Sequence, residues 1–206
     1  MKIAIIDYGA GNIRSLAFAL ERLGETDLEI TNSGDKILAA ERVIFPGVGH
    51  ASYAMLQLKK YGLDTLIPKL RQPFLGICLG MQLMCNQTEE GNVNGLGIFD
   101  TSVIKFKPLL KVPHMGWNKV MWYKNPFNEV IPSMEWYYFV HGYYAETGVQ
   151  TVGLTEYIND FSAVMRQDNF IGCQFHPEKS GAGGSVFLEH FLFDEEMFSK
   201  KGETMA

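Results

Sequence analysis

The chain has 206 residues, of which 47% are hydrophobic and 20% are charged, as expected for a globular protein with an ample core. Its formal net charge of −5 gives no sign of a nucleic-acid interface, and no apolar run reaches the roughly 20 residues of a membrane-spanning helix. The N-terminal apolar run ends at Asp7, too early for a signal peptide, and three cysteines are an odd number for a disulfide framework. We therefore expect a cytoplasmic protein without disulfides.

Strands and helices alternate through the first half of the sequence. The predicted strands are KIAIID, LEIT, RVIFPG and FLGI, and the predicted helices cover residues 12–23, 36–40, 51–60 and 63–70. Gly24 follows the first helix as its expected C-terminal cap. This alternation predicts an α/β fold with a mostly parallel open sheet flanked by helices. Ligands of such sheets bind beyond the carboxyl ends of the strands.

The second half is rich in predicted strands. They are SVIKF, NKVMWY, WYYFVHGYY, QTVGLTE, SAVMRQD and NFIGCQF, and they predict an antiparallel extension of the parallel sheet. A last helix is predicted over residues 184–200, before a polar tail. We find no linker or repeat, so we predict one domain over residues 1–206, with about 194–206 as a C-terminal extension.

Cys78 lies between Gly76 and Gly80, after the strand FLGI and before a helical pattern over residues 79–85. This is the G-x-nucleophile-x-G spacing, in which small neighbours permit a tight strand-to-helix turn that presents the nucleophile. A position at a helix N-terminus favours the thiolate. The alternative is a buried cysteine with incidental glycines. Cys85, two helical turns further on, is assigned to the core.

His176 and Glu178 in QFHPEKS provide a candidate base and its orienting acid. They follow the apolar strand NFIGCQF, and Pro177 favours an extended conformation at His176. Residues i and i+2 of an extended chain point the same way, so the glutamate can hold the imidazole as the acid of a Ser-His-Asp triad does. Together with Cys78, this pattern predicts nucleophilic catalysis at one edge of the sheet.

Attack on an amide also requires N–H donors for the oxyanion. The backbone amide of Leu79 is one candidate, and the glycine-containing loop FPGVGH is another, although that loop could be a plain turn. DYGAGN has Arg14 where a dinucleotide motif needs its third glycine, so no nucleotide cofactor is predicted. The histidines and cysteines show no metal-ligand spacing, and we predict neither a metal nor another cofactor.

The motifs GICLGMQ, PGVG and QFHPEKS together resemble those of class I glutamine amidotransferases, the triad-type glutaminases. PHMGWN and YFVHGYY resemble more specifically the glutaminase subunits of imidazole glycerol phosphate synthase, an enzyme of histidine biosynthesis. The resemblance runs from Asp7 to about Phe191. It implies a flavodoxin-like class I glutaminase fold, hydrolysis of L-glutamine to glutamate and ammonia, and a heterodimer with a (β/α)₈-barrel cyclase that receives the ammonia.

The resemblance also implies roles for individual residues. Cys78 would be the nucleophile, His176 the base and Glu178 its orienting acid. The oxyanion hole would comprise the amides of Val48 and Leu79. Glutamine would be held by Gly49, Gln82 and Glu90 and by the backbone of His141, Gly142 and Tyr143. The partner interface would include Asn12, Met115, Trp117, Tyr138 and Lys179, although Trp117 and Tyr138 could instead be core aromatic residues and Lys179 a solvated charge.

Two positions depart from the family pattern. Gly142 stands where the family usually has serine, and Ala51 stands where an aromatic residue is common. Such drift leaves open a paralogue that supplies ammonia to another synthase, for example in surface-sugar biosynthesis. A catalytically inactive scaffold and a cysteine peptidase are further alternatives. The first is disfavoured by the intact Cys78, His176 and Glu178, and the second by the interface-like PHMGWN.

Overall fold

The computed structural model describes residues 1–9, 13–123, 132, 134–194 and 198. Asn12 and most of the predicted C-terminal extension lie outside these described residues. The strands are β1 (Ile3–Ile6), β2 (Leu28–Thr31), β3 (Arg42–Phe45), β4 (Phe74–Ile77), β5 (Cys85–Thr88), β6 (Val93–Asn94), β7 (Phe99–Lys105), β8 (His114–Trp122), β9 (Met134–His141), β10 (Tyr143–Ala145), β11 (Thr151–Tyr157), β12 (Asn159–Gln167) and β13 (Phe170–Cys173). The helices are α1 (Ile13–Arg22), α2 (Gly34–Leu38), α3 (Ala51–Lys60), α4 (Leu63–Leu66), α5 (Leu79–Met84) and α6 (Gly181–Phe193), with 3₁₀ turns at Ile67–Lys69 and Pro177–Lys179.

A nine-stranded mixed sheet forms the centre of the fold, in the order β2-β1-β3-β4-β13-β12-β11-β8-β9. The strands from β2 to β13 pair in parallel, and the strands from β12 to β9 continue the sheet antiparallel. The predicted parallel core with an antiparallel extension is therefore confirmed.

Both faces of the parallel part are buried, as its continuous apolar strands require. In β1, Ile3 and Ile5 contribute to one hydrophobic cluster, and Ala4 and Ile6 contribute to the other. Helices α1 and α6 pack on the first face, and α3 and α5 pack on the second. Because these strands run parallel, their carboxyl ends lie at one common edge of the sheet.

A second, four-stranded sheet in the order β10-β7-β5-β6 was not predicted. The helical pattern expected over residues 79–85 ends at Met84, and Cys85 begins β5, where it is buried as predicted. The expected single strand WYYFVHGYY is also divided. It breaks at Gly142, and its two parts join different sheets because β9 pairs with β8 while β10 pairs with β7.

Two helix predictions were too long. The helix expected over 63–70 becomes α4 followed by a 3₁₀ turn at Pro68, which has no N–H to donate. The helix expected over 184–200 begins at Gly181, and Asp194 leaves it with an extended backbone. Phe198 still packs against Phe191, with ring centroids 6.0 Å apart, and this explains why the apolar spacing continues beyond the helix. In the described part of the chain, no helix is long and apolar enough to cross a membrane.

Candidate active site

The predicted catalytic residues meet at the carboxyl edge of the parallel strands. Phe45 of β3 pairs with Gly76 of β4, and Cys173 of β13 pairs with Ile77, so the three strands end side by side. Each strand leads directly into a predicted motif: the loop 46–50, Cys78, or the segment 174–178. Parallel pairing thus brings together groups that are far apart in the sequence.

Cys78 occupies a sharp turn between β4 and α5. Its φ of 53° and ψ of −110° are uncommon for a residue with a side chain, and its backbone N–H donates to the carbonyl of Cys173 at 2.7 Å. Such backbone strain costs about 1–3 kcal/mol and is concentrated at functional sites. The side chain is 7% exposed. The turn has the geometry expected of a nucleophile elbow.

The glycines beside the elbow allow close packing of backbone on backbone. A Cβ atom at Gly80 would collide with the carbonyl oxygen of Phe45, and one at Gly47 would lie 2.6 Å from the Cβ of Leu79. The loop after β3 therefore rests directly on the first turn of α5. This contact brings the segment of Val48 beside Leu79, the two residues predicted to provide the oxyanion hole.

His176 and Glu178 form a buried pair. His176 Nδ1 donates to Glu178 Oε1 at 2.9 Å, since a carboxylate can only accept, and both side chains are at most 5% exposed. Burial by itself lowers the pKa of His176, but the Cys78 thiolate and the Glu178 carboxylate outweigh burial and raise this pKa above its ordinary value. His176 Nδ1 is held by Glu178, which leaves the buried Nε2 for the interaction with Cys78 that contributes to the raised pKa.

Little space separates the loop after β3 from the His176–Glu178 pair. A cavity of about 10 Å³ is lined in part by Gly47, Val48, His176 and Glu178, which is room for about one water molecule. The Tyr8 hydroxyl donates to the Val48 carbonyl at 3.4 Å, and Gly49 has a left-handed φ of 101°. This cavity by itself has no room for a group as large as an amino acid.

Gln82 and Gln174 form a buried amide pair behind Cys78. Gln82 Nε2 donates to the Tyr143 carbonyl at 2.8 Å and to Gln174 Oε1 at 2.9 Å. Gln174 Nε2 in turn points at Cys78 Sγ at 3.6 Å. Sequence reasoning assigned no role to Gln174. The available signal was its position two residues before His176, which puts both side chains on the same side of an extended chain.

With this geometry established, comparison with known proteins identifies the family. The family model of the class I glutamine amidotransferases matches residues 4–195. The chain belongs to this family. Solved structures agree on the fold. A crystal structure of a glutamine amidotransferase has a TM-score of 0.72 at 16% identity, covering 96% of this chain and 99% of that one, and at this identity the likeness shows the fold alone.

Relatives of much higher identity carry one name. The imidazole glycerol phosphate synthase subunit HisH of Bacteroides fragilis is 52% identical over 195 residues, covering 93% of this chain and 99% of the relative. The protein of the same name from Methanocaldococcus jannaschii is 44% identical, covering 92% of this chain and 98% of the relative. The chain is thus similar over nearly its full length to one branch of the glutamine amidotransferases.

Two buried histidines continue the polar network of this amidotransferase away from Cys78. His141 Nδ1 donates to the Tyr143 carbonyl at 2.8 Å, so its Nε2 accepts from His114 Nδ1 at 3.0 Å. His114 Nε2 then accepts from Asn118 at 3.3 Å. Burial lowers the pKa of His114 to about 4 and that of His141 to about 3. Both rings are therefore neutral with defined tautomers. His114 was not singled out from the sequence.

Glu90 contacts one of the two departures from the amidotransferase pattern, Ala51, and the other is Gly142. Glu90 Oε2 accepts from the backbone N–H of Ala51 at 2.9 Å, so it holds the start of α3 next to Gly49. Ala51 is fully buried. Among the described residues, a Cβ at Gly142 would meet Val112 at 3.8 Å, an ordinary contact distance, so the Cβ of the serine common in the family would fit here.

Four of the predicted interface residues, Met115, Trp117, Tyr138 and Lys179, lie near His176. Met115 and Trp117 of β8 are 58% and 53% exposed, so the core interpretation of Trp117 is wrong. Trp117 faces Tyr138 of β9 with ring centroids 6.1 Å apart, and the Tyr138 carbonyl accepts from the His176 backbone N–H at 2.9 Å. Lys179 is exposed and ends the 3₁₀ turn that directly follows His176. These four residues therefore border one surface beside the candidate site.

Proposed function

We propose that this protein is the glutaminase subunit of imidazole glycerol phosphate synthase and that Cys78, His176 and Glu178 carry its catalysis. The carrying observation is the buried His176–Glu178 pair, whose Nε2 is left for Cys78 at the same sheet edge, where Cys78 occupies a strained turn. The close similarity to proteins named as HisH subunits supports the histidine-pathway assignment over a paralogue in surface-sugar biosynthesis. The cytoplasmic location expected from the sequence stays a prediction.

The reaction follows from the chemistry of these groups. His176 Nε2 takes the thiol proton as Cys78 Sγ attacks the carboxamide carbon of glutamine, and Glu178 stabilises the imidazolium that results. The oxyanion is held by the amides of Val48 and Leu79. His176 then gives its proton to the departing ammonia. Water hydrolyses the remaining thioester to glutamate with the same base.

Glutamine contacts are proposed at the residues around Cys78. Both amide hydrogens of Gln82 are engaged by Tyr143 and Gln174, so Gln82 offers the substrate its Oε1, which accepts from a donor such as the α-ammonium. Gly49, Glu90 and the backbone at 141–143 complete the binding site.

We further propose that ammonia passes to a (β/α)₈-barrel cyclase bound at the surface of Met115, Trp117, Tyr138 and Lys179, with Asn12 as a further contact. Exposed Met and aromatic side chains are enriched in protein interfaces. The barrel adds the ammonia to a phosphoribulosyl-formimino ribonucleotide and yields imidazole glycerol phosphate and an aminoimidazole carboxamide ribotide.

The decisive experiment measures glutamate release from L-glutamine by the chain alone and with its barrel partner plus the formimino ribonucleotide. Strong activation by partner and nucleotide is the expected result. High activity without the partner, or none with it, would transfer the assignment to another synthase.

A matched pair of variants tests the nucleophile. Cys78→Ala abolishes glutamate release and covalent labelling by an electrophilic glutamine analogue, whereas Cys85→Ala keeps both because Cys85 is a core residue. Labelling is read by mass spectrometry of the assembled complex. An unlabelled Cys78 in the wild-type complex would contradict the glutaminase mechanism and leave the scaffold alternative.

A further inference from the structure

The buried side chain of Gln174 has one hydrogen-bonding group that the fold does not explain. Gln174 is fully buried, and its backbone N–H is already paired with the Ala163 carbonyl. A buried carboxamide needs partners for both its oxygen and its nitrogen. Its oxygen accepts from Gln82, and its nitrogen is directed at Cys78 Sγ.

A third residue, Tyr143, determines which atom of the Gln174 amide faces Cys78. The Tyr143 carbonyl can only accept, so the atom of Gln82 that lies 2.8 Å from it is the nitrogen. That nitrogen also donates to Gln174, so the facing atom of Gln174 is its oxygen. The remaining nitrogen of Gln174 must therefore be the atom at 3.6 Å from the sulfur of Cys78.

A second polar neighbour of the sulfur, the Val140 carbonyl, favours the opposite protonation state. The Val140 carbonyl lies 3.9 Å from Cys78 Sγ and can only accept, so it pairs with the thiol and opposes the thiolate. An amide N–H favours the thiolate, because a hydrogen bond to a charged acceptor is stronger than one to a neutral acceptor. The donor of Gln174 thus favours the thiolate from one side, and the imidazole of His176 interacts with the same sulfur.

We propose that Gln174 is a catalytic residue that donates its Nε2–H to the sulfur of Cys78 and so stabilises the thiolate that forms when His176 takes the proton. The thiol proton moves to His176 Nε2, and the electron pair left on sulfur accepts the hydrogen bond until the S–C bond forms. The inference rests on the proposed role of Cys78 as nucleophile.

Two substitutions distinguish this role from a structural one. Gln174→Met has a similar length and no donor, while Gln174→Glu also loses the donor but keeps an oxygen for Gln82. If Gln174 only held Gln82 in place, Gln174→Met would leave the pH profile of Cys78 alkylation unchanged. If Gln174 donates to the thiolate, Gln174→Met displaces that profile to higher pH, and Gln174→Glu displaces it further because it adds a carboxylate beside the sulfur.

The assay is the rate of Cys78 alkylation by iodoacetamide as a function of pH, read by mass spectrometry of the Cys78 peptide. For Gln174→Met we expect a rate about tenfold lower at pH 7 and a profile displaced to higher pH, with the same plateau. Gln72→Met is the control, because Gln72 donates to a backbone carbonyl away from the site, and its profile should match the wild type.

Each outcome has a defined meaning. If the wild type and both folded Gln174 variants have identical profiles, the proposed role of Gln174 is overturned and the assignment of Cys78 as nucleophile is unaffected. A wild-type Cys78 that resists alkylation at every pH would overturn the nucleophile assignment and this proposal with it. If the variants do not fold, NMR of the wild-type Gln174 side-chain amide decides. Its resonances should shift as the pH passes through the midpoint of the Cys78 alkylation profile. Resonances that stay constant with pH would refute the proposal.

Discussion

The close contact between the nucleophile elbow and the loop after β3 predicts the effect of Gly80→Ala. The added methyl group would collide with the carbonyl oxygen of Phe45, which lies in a central strand and cannot rotate away as a flexible side chain could. Overpacking of this kind costs about 1–3 kcal/mol, whereas replacing a helical glycine by alanine gains about 0.5–1 kcal/mol. The net expectation is a loss of roughly 1–2 kcal/mol.

For a chain of this length, that loss lowers the thermal midpoint by about 2–8 °C, which circular dichroism measures directly. Gly148→Ala is the matched control, because a Cβ there meets no atom of the described residues within 4 Å. Its midpoint should stay within about 2 °C of the wild type. We also expect Gly80→Ala to reduce glutamate release, since the displaced loop carries Val48. An unchanged midpoint for Gly80→Ala would refute the argument from close packing.

Two further predictions concern the buried histidines and the exposed tryptophan. The lowered pKa of His114 means that the unfolded state binds more protons below about pH 6.5, so stability is lost as the pH falls toward 4. His114→Phe should therefore reduce the slope of the unfolding free energy against pH by up to about 1.4 kcal/mol per pH unit. Urea titrations between about pH 6.5 and 4.5 measure this slope, and an unchanged slope would contradict the prediction. Trp117→Ala should weaken binding of the barrel partner at least about 30-fold by calorimetry, as expected for a central aromatic residue of an interface. Leu56→Ala, an exposed position on α3, should change it less than twofold, and equal effects would exclude Trp117 as an anchor.

Much of the site was predictable because its signals are local. The glycines around Cys78 identify the tight turn, and the two-residue spacing of His176 and Glu178 puts both side chains on one side of an extended chain. The rule that ligands bind beyond parallel strand ends then brings these motifs to one edge. The structure agrees on each of these geometric points, and the catalytic roles stay predictions.

Other features depend on partners that are distant in the sequence. The strand β5 was not predicted, and its first residue, Cys85, was predicted as the end of a helix, because the pairing of β5 with β7 leaves no mark on its own short sequence. Gln174 acquires its orientation from the carbonyl of Tyr143 by way of Gln82, a relay that joins three separate segments.

The sequence by itself determined the strand-and-helix alternation, the elbow at Cys78 and the identity of the family motifs, since each rests on residues close together in the chain. Only the tertiary structure decided that Trp117 is exposed, that His114 and His141 are buried as a neutral pair, and that Gln174 is directed at the nucleophile. Burial and hydrogen-bond direction are properties of packed neighbours, and those neighbours are chosen by the fold rather than by adjacent residues.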